Sequence, residues 1–300
     1  MALVPFDDRD GVIWYDGTPV PWREAKLHVL SHGLHYASGV FEGERAYNGN
    51  IFKLRAHTDR LIASAQLLGF EIPFSREAIE DACRQMLAAN GQTEAYVRPI
   101  AWRGTEMLAV SAQATKIHLA IATWAWPNLF GDSHVKGVRL GLAEWRRPAP
   151  DTAPTASKAA GLYMIGTLAK HKAEAEGFDD ALMLGWRGQI AEGTGANVFF
   201  VKDGELHTPI PDCFLNGITR RTVMSLARRR QIKMTERVIF PDEMKGMDEV
   251  FLAGTAAEVT PVRQIAEWHF KPGPITETLQ KDFEQLVRMA PDEVERRAPI

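Results

Sequence analysis

Glu192-Gly193-Thr194-Gly195-Ala196-Asn197-Val198-Phe199-Phe200-Val201-Lys202-Asp203-Gly204 decides how this chain is built. Gly193-Thr194-Gly195 looks like half of a dinucleotide-binding fingerprint. The third glycine is missing, however, and the run leads into a strand rather than a helix. Val198 to Val201 is an apolar, β-forming run, and Asp203-Gly204 supplies the two positive φ angles of a type I′ turn. The stretch therefore reads as a hairpin, with Leu206-His207 as its return. The same signature recurs where Val12-Ile13-Trp14-Tyr15 meets Asp16-Gly17, and where Glu44-Arg45-Ala46-Tyr47 meets Asn48-Gly49.

Between these hairpins apolar residues recur at helical spacing. Residues 57–69 align Leu61, Ala65 and Leu68; residues 76–90 align Ile79, Cys83, Met86 and Leu87, with Gly91 as a C-cap. The spacing also predicts helices over 157–176 and 219–230, the second ending on cations that suit its dipole, and a strand over 116–123. Hairpins interleaved with helices imply an α/β chain of the α+β kind, not a doubly wound parallel sheet.

At 300 residues, 45% hydrophobic and 24% charged, the chain has an ordinary globular composition and a length that suggests two domains. Pro127-Asn128 and Gly131-Asp132-Ser133 form the best linker. We expect a small N-terminal α/β domain over 1–127, a linker over 128–133 and a larger C-terminal domain over 134–300. A net charge of −3, with no aromatic residues interleaved among Arg220-Arg221 and Arg228-Arg229-Arg230, argues against nucleic acid or an acidic membrane as partner. The two cysteines, Cys83 and Cys213, form no CxxC pair, the N-terminus lacks a signal-like h-region, and no window is long enough for a membrane span. A cytoplasmic protein is expected.

Lys158 lies in Thr155-Ala156-Ser157-Lys158-Ala159-Ala160-Gly161, among small, nearly uncharged neighbours. An amine there is short of water around its charged form, which favours the neutral nucleophile that attacks carbonyl carbon. Taken alone, the segment is read more readily as a lysine snorkelling from a helix start. Glu192, before a glycine-rich bend, is either an exposed turn acid or a buried carboxylate that needs a partner. Asn216-Gly217-Ile218-Thr219 opens a helix and Gly254-Thr255-Ala256-Ala257 makes a second nest; each can hold an anion or simply cap a turn. Arg60 is a candidate phosphate arginine or a solvated helix charge. His28, His32 and His35 have no Cys or acid to complete a ligand set, so no metal is expected.

Together these segments resemble the class IV aminotransferases, fold type IV pyridoxal-phosphate enzymes with a two-domain, D-amino-acid aminotransferase-like fold, and among them the branched-chain amino-acid aminotransferases. The resemblance runs from about Trp14 to Leu286 and rests on HGLHYASGVFEGERAY (32–47), AYVRP (95–99), SKAAGLY (157–163), EGTGANVFFVKDG (192–204), GITRRTV (217–223) and GTAAEVTPV (254–262). It implies that Lys158 forms the internal aldimine with pyridoxal 5′-phosphate and shuttles the proton. It implies that Glu192 pairs with the pyridine nitrogen and Tyr163 with the phenolic oxygen, that Arg60, Ile218, Thr219 and Thr255 hold the phosphate, and that Gly195 and Asn197 belong to the cofactor site. Tyr36, Arg98, Ala256 and Ala257 would surround the substrate carboxylate, and Phe41, Gly43, Tyr96 and Trp126 would shape the side-chain pocket. The implied reaction moves the amino group of leucine, isoleucine or valine to 2-oxoglutarate through a pyridoxamine intermediate, in a homo-oligomer of at least two chains. The alternatives are a D-amino-acid or (R)-amine aminotransferase, an aminodeoxychorismate-type lyase, and a non-enzymatic pyridoxal-phosphate carrier. Glu44 departs from the family, where an apolar residue is common after the glycine, and Leu129 stands where some relatives have tyrosine.

Overall fold

The computed structural model describes residues 4–126 and 136–300. The linker expected over 128–133, and Leu129 within it, lie outside the described residues. The chain divides into two compact units. Met1–Trp126 and Ser157–Gly161 form the first; Pro127–Ala156 and Leu162–Ile300 form the second.

The N-terminal unit is built on β1 (Val12–Tyr15), β2 (Thr18–Pro21), β3 (Gly39–Phe41), β4 (Glu44–Tyr47), β5 (Asn50–Ile51), β6 (Ala95–Arg103) and β7 (Ile117–Ala125). They form one sheet in the order β2-β1-β7-β6-β4-β5, with β3 also on β6, and every pair is antiparallel. The short helix α1 (His32–Tyr36) and the longer α2 (Leu54–Leu67) and α3 (Arg76–Ala89) complete it. Leu61 of α2 and Ile79, Cys83 and Met86 of α3 close the core with Val97, Leu119 and Ile121 of the sheet, so the helical stripe read from the sequence is the buried one. Ser75 starts α3 by accepting from Ala78 N at 3.2 Å.

The C-terminal unit holds β8 (Val138–Leu142), β9 (Asp180–Leu184), β10 (Ile190–Gly193), β11 (Asn197–Lys202), β12 (Glu205–Pro209), β13 (Met234–Arg237), β14 (Glu249–Gly254), β15 (Glu258–Ile265) and β16 (Trp268–His269). The order β10-β9-β8-β15-β14-β11 returns on itself because β10 also pairs β11, so six strands form a closed ring. Closure removes the sheet edges there. Leu140, Leu182, Ile190, Val198, Phe200, Leu252 and Val262 share its main apolar cluster, while Phe199 stacks on Phe251 with ring centres 5.0 Å apart. The longer helices among the described residues of this unit are α4 (Met164–Ala175), α5 (Ile218–Arg229), α6 (Pro274–Leu286) and α7 (Pro291–Arg297).

All three hairpin turns form as read. Asp16 and Gly17, Asn48 and Gly49, and Asp203 and Gly204 all have positive φ. The helix expected over 157–176 is a correction. A 3-10 turn spans Ala160–Tyr163 and α4 begins only at Met164. Ser157 and Lys158 instead spend their backbone and hydroxyl groups on Ser64 and Phe41 of the N-terminal unit, which tertiary bonding favours over local helix propensity.

Candidate active site

In the N-terminal unit Lys158 is fixed by its backbone. Its N–H donates to Ser64 Oγ at 2.9 Å, its carbonyl accepts from Phe41 N at 3.2 Å, and the Ser157 hydroxyl donates to the Ser64 carbonyl at 3.0 Å. Ala159 bridges Val40. Small residues around the lysine permit this approach, and they leave its amine 4.8 Å from the centre of the Phe41 ring.

Arg98 shares that ring. Its guanidinium carbon lies 4.8 Å from the centre of Phe41, 5.2 Å from Tyr96 and 5.9 Å from Trp124. Tyr96 and Arg98 are two residues apart on β6, hence on one face, and Nη2 donates to Tyr96 Oη at 3.4 Å. Among the described residues Arg98 has no carboxylate partner, and its buried Nε and the buried Nε1 of Trp126 have no hydrogen-bond partner. Tyr96 also packs against Trp126 at 4.6 Å. Gly43 makes room for it: a Cβ there would sit 1.9 Å from the Tyr96 hydroxyl.

Arg60 on α2 reaches both oxygens of buried Glu42, Nε at 2.6 Å and Nη2 at 2.8 Å, while His57 Nδ1 lies 2.6 Å from Glu42 Oε2. Burial alone would raise the Glu42 pKa; Arg60 and then His57 outweigh it and hold it well below the usual carboxylate range. Burial pushes His57 down despite the pull of Glu42, so the imidazole is neutral and its Nδ1–H donates. Lys158 is among the charges that act on His57. Tyr36 ends α1, exposed, with its ring stacked on His32 at 4.5 Å. His32 itself is tied to Ser38 Oγ and the Ala109 carbonyl, a structural arrangement.

In the C-terminal unit Glu192 ends up buried. Arg147 Nη2 donates to its Oε1 at 2.5 Å and Asn197 Nδ2 to its Oε2 at 3.3 Å. Asn197 stands directly opposite Glu192 in the β10–β11 pair. The same amide donates to the Leu215 carbonyl at 3.0 Å and accepts from Gly217 N at 3.2 Å, so it ties the carboxylate to the start of α5. Only glycine fits at 217, because a Cβ would lie 2.2 Å from Asn197 Oδ1. Ile218 and Thr219 are buried at that helix start, which has no side-chain cap. Its first N–H groups have no acceptor within the helix and suit an anion.

Gly254 packs so tightly against the Gly195-Ala196 bend that a Cβ would meet Ala196 at 2.9 Å. This sets the turn carrying Thr255, Ala256 and Ala257 beside Gly195. Tyr163, at the start of α4, lines a cavity of about 330 Å³ with Thr167, Gly195, Ala256 and Ala257. Cys213 is buried nearby in the sequence turn after β12, and burial, then Asp212, pushes its thiol up to about 12, so it is no nucleophile.

The sequence profile of the family described as Amino-transferase class IV matches residues 39–265. The chain belongs to the class IV aminotransferases. The branched-chain-amino-acid aminotransferase of Pseudomonas aeruginosa is 43% identical over 288 residues, covering 93% of this chain and 94% of its own length. The branched-chain aminotransferase of Thermoproteus uzoniensis, solved with norvaline, superposes with a TM-score of 0.91 at 35% identity over 96% of this chain and 98% of its own. The T.th. branched-chain amino acid aminotransferase complexed with N-(5′-phosphopyridoxyl)-L-glutamate gives a TM-score of 0.91 at 37% identity, with 96% and 98% covered. These confirm the expected α+β class IV fold.

As a class IV aminotransferase, the chain groups its sequence-marked residues into two sets. Lys158, Phe41, Gly43, Tyr96, Arg98 and Trp126 cluster in the N-terminal unit; Glu192, Asn197, Ile218 and Thr219 connect in the C-terminal unit. Glu42, His57 and Arg147 carry much of the electrostatics and were missed. Glu42 lies inside a quoted motif and His57 at the start of the helix read over 57–69, yet nothing in spacing says that a loop acid meets a helix. Arg147, in Trp145-Arg146-Arg147-Pro148, had no signal beyond the requirement that a buried Glu192 find a cation.

Proposed function

We propose that the chain transfers the amino group of L-leucine, L-isoleucine or L-valine to 2-oxoglutarate, with pyridoxal 5′-phosphate as cofactor. The observation that carries this reading is Arg98: a guanidinium without a carboxylate partner, walled by Phe41, Tyr96 and Trp124, in the same cluster as the Lys158 amine. An amino acid with an apolar side chain needs that combination of anion receptor and aromatic wall. The relatives' branched-chain substrates, and the phosphopyridoxyl-glutamate held by one of them, support it.

The residues present fit the cofactor. The uncapped start of α5 at Ile218 and Thr219, with Thr255 and Arg60, would take the phosphate; Glu192 would take the ring nitrogen, Tyr163 the phenolic oxygen and Lys158 the aldehyde carbon. When bound, pyridoxal phosphate supplies an electron sink for the pair left at the substrate Cα. Arg147 and Asn197 fix the Glu192 carboxylate in one orientation, so its charge need not reorganise during reaction. The Lys158 amine, short-tethered because its own backbone is pinned, takes the Cα proton of the amino acid. Arg98 holds the carboxylate, and Tyr96, Trp126 and Phe41 enclose the side chain and exclude water. Tyr36, exposed on α1, is proposed to complete the carboxylate site.

On the same footing we propose a cytoplasmic enzyme that works as a homo-oligomer of at least two chains. The two free, buried thiols support the first, and the exposed apolar residues Leu27, Val29, Leu30 and Leu34 ahead of Tyr36 support the second. Among the described residues no helix is long and apolar enough to cross a membrane. A donor panel with 2-oxoglutarate as acceptor tests the function. L-leucine, L-isoleucine and L-valine should outpace D-alanine and (R)-1-phenylethylamine; the reverse order would select the D-amino-acid or (R)-amine reading.

A further inference from the structure

Glu44 on β4 has no exposed surface, and among the described residues neither of its carboxyl oxygens has a hydrogen-bond partner. A buried polar group left without partners is rare enough to require an account. Packing does not supply one, since an apolar residue of similar volume would fill the space at lower cost. A bound metal ion does not supply one either, because among the described residues no cluster of three His, Cys, Asp or Glu is arranged to hold one.

The surroundings are more informative. Glu42 acts on Glu44 from the turn before β4, Arg60 from α2, and Glu80 and Cys83 from α3; across the strand pair on β6 stands uncharged Val97. Arg60 is the cation of this set, and its Nε and Nη2 are already on Glu42. Burial first, then the charge of Glu42, raises the Glu44 pKa well above the ordinary carboxylate value, with Arg60 opposing. The uncharged acid therefore persists above the pH at which most carboxyls ionise.

We propose that Glu44 is a positioning residue for Arg60: as an uncharged acid it leaves the guanidinium on Glu42, and as a carboxylate it draws the guanidinium inward and away from an incoming phosphate. This rests on the reading of Arg60 as a phosphate ligand. The sign follows from charge. Ionisation places a second anion beside Arg60, so affinity for a phosphate-bearing ligand falls as pH rises, and by reciprocity a bound phosphate makes Glu44 hold its proton more tightly.

The test uses the full chain freed of cofactor, titrated spectroscopically with pyridoxal 5′-phosphate at pH values spanning the whole range over which the chain stays folded, for the wild type, Glu44→Gln, Glu44→Leu and Arg60→Ala. The ligand's own titration cancels in the ratio of dissociation constants at each pH. The wild-type to Glu44→Gln ratio should climb about 5-fold or more across the range, a usual size for coupling between sites. Glu44→Leu, which controls for loss of the polar group, should track Glu44→Gln. A ratio that stays flat, with Arg60→Ala still weakening binding, overturns the role of Glu44 and leaves that of Arg60 standing. An Arg60→Ala variant that binds as tightly as the wild type at every pH overturns the phosphate reading of Arg60 itself.

Discussion

Glu192 and Glu44 are both buried carboxyls on strands of antiparallel pairs, and they differ in what stands across the pair. Asn197 faces Glu192, and Val97 faces Glu44. The first carboxylate is bonded at both oxygens, by Arg147 and by Asn197, and the second at neither. Burial alone thus says little about a charge. Arg147 and Asn197 hold the Glu192 carboxyl group at both oxygens, while Glu44 is buried with neither oxygen bonded and its pKa is raised.

The largest effect that would break this comparison concerns rate. Glu192→Gln should slow the single-turnover half-reaction with L-leucine roughly 10²–10⁴-fold, the usual loss when a positioned proton partner goes. Glu44→Gln, at saturating cofactor, should stay within a few-fold of wild type. Rapid-mixing absorbance would measure both, and equal losses would show the two carboxyls to be equivalent.

Stability sharpens the contrast because the signs should differ. Arg147→Leu leaves Glu192 buried without its cation and should destabilise the protein by about 3–5 kcal/mol in urea unfolding. Glu44→Leu removes an unbonded carboxyl and should raise the urea midpoint. A loss of stability in Glu44→Leu would mean that the carboxyl has a structural partner.

The smallest expected effect is in pH. His57 and Glu42 both have depressed pKa values in the fold. The unfolded chain therefore binds more protons as pH falls, first at His57 below about its ordinary 6.5 and then at Glu42 below about its ordinary 4.5. Stability contributed by this pair is present above those values and lost on acidification. Glu44 has the opposite sign, since its raised pKa makes the fold bind the proton that the unfolded chain releases above about 4.5. Urea midpoints followed from neutral to acid pH should fall for the wild type and fall more steeply for Glu44→Gln, which lacks the opposing group. Parallel curves would remove Glu44 from the set.

Much of this was legible in the sequence, and for local reasons. Asp-Gly and Asn-Gly dictate their turns whatever surrounds them, so the hairpins at 16–17, 48–49 and 203–204 are read correctly from two residues each. The stripe of Ile79, Cys83 and Met86 likewise fixes its own helix face. What failed was long-range. Residues 157–159 look helical from their small neighbours, yet Ser64, more than ninety positions earlier, bonds Ser157 and Lys158, and Ala159 bridges Val40. Closure of the strand ring depends on β8 pairing β15, separated by more than a hundred residues, and no periodicity records that. Arg147 as partner of Glu192, and Glu42 as partner of Arg60, were invisible for the same reason.

The central claim is that Lys158 carries the cofactor. Reduction of the cofactor-loaded enzyme with borohydride, followed by proteolysis and mass spectrometry, tests it most directly. The account predicts one phosphopyridoxyl-labelled peptide, spanning Ser157–Tyr163, with the label on Lys158 and none in Lys158→Ala. Label on another lysine, or undiminished label in Lys158→Ala, would contradict it.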